Sequence, residues 1–112
     1  NNNQISDITT LSNFKKMLRL HLQGNNISDI SAIANMADIN EIYLHDNNIT
    51  NIEALRSLES IEFLKIGGNP LTNLQSVTYL SKLEKLYIEG LDINDEVILN
   101  IKETLPNCTI IN

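Results

Sequence analysis

The chain has 112 residues, 42% of them hydrophobic and only 4% aromatic, which suits one small domain with an aliphatic core of Ile and Leu. Its formal net charge of −6 argues against a nucleic-acid partner, because affinity for phosphate backbones rests on Lys and Arg displacing counterions. No apolar run approaches the roughly 18 residues that a membrane-spanning helix needs, and the single Cys108 excludes an internal disulfide framework.

The first predicted element is a coil over residues 5–26. Its opening spacing is three, at Ile5, Ile8, Leu11, Phe14 and Met17. Side chains at i and i+3 eclipse in tight 3₁₀ turns, so this stretch is read as a 3₁₀ or irregular return across one side of the domain. The spacing then becomes two, at Leu20 and Leu22, which predicts a short strand with both leucines facing inward. Asn25 follows where the chain bends. An amide side chain both accepts and donates, so it suits the backbone groups that such a bend leaves inside.

The same coil recurs over 27–48, 49–70 and 71–92. Ile5, Ile27, Ile49, Leu71 and Ile93 stand 22 residues apart, as do Leu20, Ile42, Leu64 and Leu86. Asn3, Asn25, Asn47 and Asn69 keep the same step and form a predicted structural ladder. A period of about 20–29 residues marks a stacked solenoid. The predicted fold is α/β: a right-handed solenoid, with a parallel sheet on the concave face and 3₁₀ or irregular turns on the convex side. Leu91 replaces the ladder asparagine in the last copy, and Pro70 follows Asn69.

Residues 93–112 are read as a helix–strand cap. Val97, Ile98, Ile101 and Leu105 recur at helical steps; Asn94 is placed to cap the helix, Asp95 and Glu96 lie in its first turn, and Pro106 ends it. Cys108 and Ile110 lie 22 residues after Leu86 and Ile88, so they are the expected inward pair of a fifth strand. At the other end, Asn3 has the ladder position of a coil whose strand is not present. Terminal repeats need a polar cap, so the reading is of a carboxyl-terminal part of a longer array, with amino-terminal coils or a cap missing. The first residue is Asn rather than Met, so the lack of a signal peptide says nothing about compartment.

The segment Met17-x-x-Leu20-x-Leu22-x-x-Asn25-x-Ile27 has the L-x-x-L-x-L-x-x-N-x-L pattern, and with its following copies the chain resembles the leucine-rich repeat superfamily. The segments Ile27-Ser28-Asp29-Ile30 and Ile49-Thr50-Asn51-Ile52 are similar to its 22-residue short-repeat class. That class includes bacterial surface internalins and an intracellular phosphatase regulator. The ending Leu105-Pro106-Asn107-Cys108-Thr109-Ile110 is similar to the ends of many bacterial leucine-rich repeat proteins. The resemblance implies a non-catalytic protein-binding module, bacterial, secreted or on the cell surface; the alternative is an intracellular scaffold or regulatory subunit of the same class.

Outward strand positions are the candidate binding residues: Arg19 and His21, then Tyr43 and His45, then Phe63 and Lys65, then Lys85 and Tyr87. Aromatic residues and Arg dominate binding interfaces, and internalins use this face for their receptors. On an exposed face, water should disfavour Phe63 most. His21, His45 and Glu41 form no convincing metal site, since the pair lacks a third well-placed ligand, and both histidines are expected as ordinary surface residues. A Cys108–His45 nucleophile fails, because three strand steps at ~4.8 Å separate the two by about 14 Å. Gly67-Gly68-Asn69-Pro70 lacks the Lys-Ser/Thr of a phosphate loop. The N-x-S/T triplets at Asn26, Asn48 and Asn107 arise from the repeat and carry little weight as glycosylation sites. No cofactor, metal or small-molecule substrate is expected.

Overall fold

In a computed structural model of the chain, residues 4–13, 16–71 and 73–112 are described. Asn3 and Phe14 lie outside them. Among the described residues five strands, β1 (Arg19–His21), β2 (Glu41–Tyr43), β3 (Phe63–Lys65), β4 (Lys85–Tyr87) and β5 (Thr109–Ile111), form one parallel sheet in chain order. Each strand is followed by a return path that carries it to its neighbour. The return contains a 3₁₀ turn at Ser31–Ile33, Glu53–Ser57 and Gln75–Tyr79, with another at Thr9–Asn13 ahead of β1. The helix α1 (Asp95–Thr104) replaces this turn before β5.

Two periodicities build the core. In the second coil Ile27, Ile30, Ile33, Met36, Ile39 and Ile42 are buried at steps of three, and Leu44 follows Ile42 at a step of two. The third coil repeats this from Ile49 to Ile66, and the fourth from Leu71 to Ile88. An apolar side chain in one coil therefore packs on its counterparts in the coils above and below. The first coil is less covered: Ile8 and Leu20 are buried, while Leu22 and Met17 are half-buried and Ile5 is 39% exposed.

The strands are short because the coil turns after three residues, yet pairing between coils runs further. Leu22 N–H donates to Tyr43 C=O at 2.8 Å and Gly24 N–H to His45 C=O at 3.0 Å, and the next coils repeat both bonds. The turn then requires a left-handed residue. Gly24 (φ 69°), Asp46 (φ 59°), Gly68 (φ 63°) and Gly90 (φ 79°) fill that position at the 22-residue step. Asp is among the few non-glycine residues that visit this region readily.

The ladder asparagines tie the coils at this bend. Asn47 Oδ1 accepts from Ile27 N–H at 3.0 Å in the preceding coil, and its Nδ2 donates to Leu22 C=O at 2.9 Å and Leu44 C=O at 3.0 Å. Asn69 does the same with Ile49 N–H, Leu44 C=O and Ile66 C=O. Asn25 accepts from Ile5 N–H at 3.3 Å and donates to Leu22 C=O at 2.9 Å. On the return side a second column braces the entry to the 3₁₀ turns. Asp7, Asp29, Asn51 and Asn73 accept through Oδ1 from the N–H groups of Thr9, Ser31, Glu53 and Gln75, at 2.8–3.0 Å. Neither this column nor the left-handed one was anticipated, although both keep the 22-residue step.

The last coil corrects one expectation. A 22-residue step places Cys108 opposite Leu86, but the sheet aligns Leu86 with Ile110, 24 residues on. The cause is α1, which Asn94 caps by accepting from Val97 N–H at 3.0 Å. An α-helix advances only about 1.5 Å per residue against about 2.0 Å for a 3₁₀ turn, so the return path needs extra residues. The shift of two keeps Ile110 facing inward. Cys108 falls just before β5, half-buried, and Thr109 and Ile111 become the outward residues.

Candidate binding face

The outward side chains of the sheet stand in columns set by the parallel register. Arg19, Glu41, Phe63 and Lys85 form the first column, ending at Thr109. His21, Tyr43, Lys65 and Tyr87 form the second, ending at Ile111. Gln23, His45, Gly67 and Glu89 continue the same strands as a third column.

The rings are in continuous contact across four strands. His21 stacks on Tyr43 with centroids 4.2 Å apart and planes at 18°. Phe63 stands in the first column and tilts between Tyr43 and Tyr87, with 5.0 Å to each. Offset and tilted pairs at these distances are favourable. They leave Phe63 half-buried, so its neighbours on the adjacent strands cover part of the apolar surface that water would otherwise meet. His45 meets Tyr43 edge-on at 6.5 Å, and Lys65 Nζ stands 5.3 Å from the Tyr87 ring centre.

Charge frames the rings. Arg19 forms an ion pair with Glu41, whose Oε1 also accepts from the Tyr43 hydroxyl at 3.4 Å. Burial, and then the Glu41 charge, push the Tyr43 hydroxyl above its ordinary pKa. Lys85 is exposed beside Phe63. His21 is exposed, but His45 is half-buried, which differs from the expectation of two ordinary surface histidines. Its Nδ1 is shielded from solvent without a hydrogen-bond partner. Burial lowers the His45 pKa and the Lys65 ammonium lowers it further, while Asp46 and Glu89 oppose the shift.

A notch of about 230 Å³ opens in the third column between His45 and Glu89, with Lys65 and Tyr87 as its wall. It exists because Gly67 carries no side chain: a Cβ there would collide with the Glu89 carbonyl oxygen. The notch and the outward Ile111 were not anticipated. Gly67-Gly68 is the only sequence signal for the first, and the longer last coil hid the second.

Among the described residues no three His, Cys, Asp or Glu side chains are grouped to hold a metal ion. No described helix is long and apolar enough to cross a membrane. The face presents rings, two cations and an ion pair on a rigid sheet, an arrangement suited to contact with another surface.

Known proteins agree with this architecture. Residues 19–71 match the leucine-rich repeat family. The structure is similar to that of the internalin inlF of Listeria monocytogenes, with a TM-score of 0.91, 28% identity, and coverage of 97% of this chain and 32% of that one. Internalin C2 of the same organism has a TM-score of 0.77 and 30% identity, over 97% of this chain and 57% of that one. The ectodomain of the receptor kinase SOBIR1 from Arabidopsis thaliana shares the fold, with a TM-score of 0.74 at 17% identity, over 96% of this chain and 61% of that one. The chain thus spans about a third and somewhat over half of the two internalins. No curated protein matches it. Its parallel sheet, 22-residue coils and likeness to these solenoids make the chain a leucine-rich repeat protein of internalin-like structure.

Proposed function

We propose that this chain is a non-catalytic recognition module of a bacterial surface or secreted protein, and that it binds a protein partner through the outward face of its sheet. The observation that carries the reading is the unbroken contact of His21, Tyr43, Phe63 and Tyr87 across four strands. Rings held by one another lose little freedom on binding, and Tyr and Arg are the residue types that anchor interfaces. Arg19, Lys65 and Lys85 flank the rings, and His45 closes one side. The internalin likeness supports the surface or secreted setting.

Size sets a limit. Five strands at ~4.8 Å make a sheet roughly 20 Å long, and a paired width of about 15 Å gives a projected area on the order of 300 Å². A standard interface takes about 800 Å² from each partner. In this reading the module binds weakly alone and more strongly within a longer array of coils.

A photoreactive residue at Phe63 should cross-link the partner, whereas one at Glu59, on the return path, should not. The captured partner is then titrated with a Tyr43→Ala, Phe63→Ala, Tyr87→Ala triple variant. Affinity should fall by at least about thirtyfold, the effect of one anchor residue. Undiminished affinity in a folded triple variant would remove the face from consideration.

A further inference from the structure

The notch at Gly67 belongs to the same face but has its own chemistry. Its volume of about 230 Å³ lies below the roughly 300–1,000 Å³ of small-molecule pockets. It has room for one long side chain rather than a free ligand. The Tyr87 ring forms one wall and already holds a cation, since Lys65 Nζ stands 5.3 Å from its centre. Asp46 and Glu89 line the rim. Among the described residues the ion pair is Arg19–Glu41, so neither of these carboxylates is held in an ion pair, and the Lys65 ammonium in the same notch lies over the Tyr87 ring. Both glycines are needed for this shape. A Cβ at Gly67 would meet the Glu89 backbone, and one at Gly68 would displace the Asp46 carboxylate.

We infer that the notch floored by Gly67 receives an arginine side chain of the protein partner, its guanidinium flat against Tyr87 and its donors turned to Asp46 and Glu89. This rests on the reading of the sheet as a protein-binding face. A guanidinium suits the notch better than an ammonium because it is planar, stacks on rings and offers a fork of donors to carboxylates. An acidic side chain would face both carboxylates, and an apolar one would leave them without a partner. The chain's net charge of −6 favours approach of a basic surface. Lys65 acts as the resident competitor, and an incoming arginine displaces its ammonium from the ring.

The test needs no identified partner. The ¹⁵N-labelled chain is titrated at low salt with acetyl-arginine amide and, separately, with acetyl-norleucine amide. The backbone amides of Gly67, Gly68 and Glu89 should shift saturably with the first and not with the second. Asp46→Asn combined with Glu89→Gln should weaken arginine binding about fivefold, the upper range for exposed ion pairs; Asn is tolerated at the left-handed position. Lys65→Met, which keeps most of the stem and removes the charge, should strengthen it about two- to threefold. Absence of a saturable shift, an equal response to norleucine amide, or unchanged affinity in the doubly neutralised variant would overturn the inference. The cross-link at Phe63, outside the notch, tests the aromatic face with Tyr87 in place, and the arginine titration needs no partner, so the two readings fail separately.

Discussion

Asn47 and Tyr43 lie four residues apart on one coil, but they obey different rules. Asn47 looks along the stack, and its neighbours there are Asn25 and Asn69. Tyr43 looks out of the sheet, and its column neighbours are His21 and Lys65. Inside the solenoid a side chain meets its counterparts in the coils above and below, so the same kind of residue recurs at each interior position. Outward side chains meet solvent or a partner, and nothing in the stack forces them to match. The interior should therefore respond to substitution in stability, and the sheet face in binding.

The sharpest way to break that contrast is in the core. Leu64 is fully buried in the middle strand, so Leu64→Ala should cost about 2–5 kcal/mol, read by urea unfolding. A loss well below that range would mean that the stack relaxes around the cavity. Asn47→Ala should cost about 1–3 kcal/mol, because it leaves Ile27 N–H without its acceptor and takes one of two amide donors from each of Leu22 C=O and Leu44 C=O. Unchanged stability would refute the ladder's structural role. Phe63→Ala, on the outer face, loses its ring contacts with Tyr43 and Tyr87. It should cost only about 1 kcal/mol in stability, with the larger effect on partner binding. A stability loss like that of Leu64→Ala would erase the distinction between the two regions.

The smallest effect lies on the return side. Accepting the Thr9 and Ser31 backbone amides holds the Asp7 and Asp29 carboxyls below their ordinary pKa of 3.8. In the unfolded chain these groups take up protons at higher pH than in the folded one. Their contribution is thus complete above the ordinary value and is lost as pH falls through the lowered one. The urea midpoint should decline on acidification below about pH 4, and Asp29→Asn should flatten that decline. An identical acid slope in the variant would show that the Asp29 carboxylate is not involved.

Much of the architecture was readable in the residues. The step from Leu20 to Ile42 to Leu64 to Leu86 placed four strands and their inward faces, and the change of spacing after Ile93 placed α1. The candidate face followed from parity, since residues between inward ones must point outward. Its organisation did not. That Phe63 sits between Tyr43 and Tyr87 rather than alone depends on ring orientations across strands. The columns at Asp29 and Asp46 keep the repeat but stand at exposed turns, where no hydrophobic pattern marks them.

Period and residue type alone determined the coil, the ladder and the inward set, because a stack of like units repeats whatever its contacts require. Three things depended on the tertiary structure. The register of β5 followed from the length of chain that α1 consumes. The burial of His45 and Phe63 followed from neighbours one strand away. The notch at Gly67 followed from a missing side chain beside the backbone of the next coil. Each depends on distances between coils, which a one-dimensional repeat does not carry.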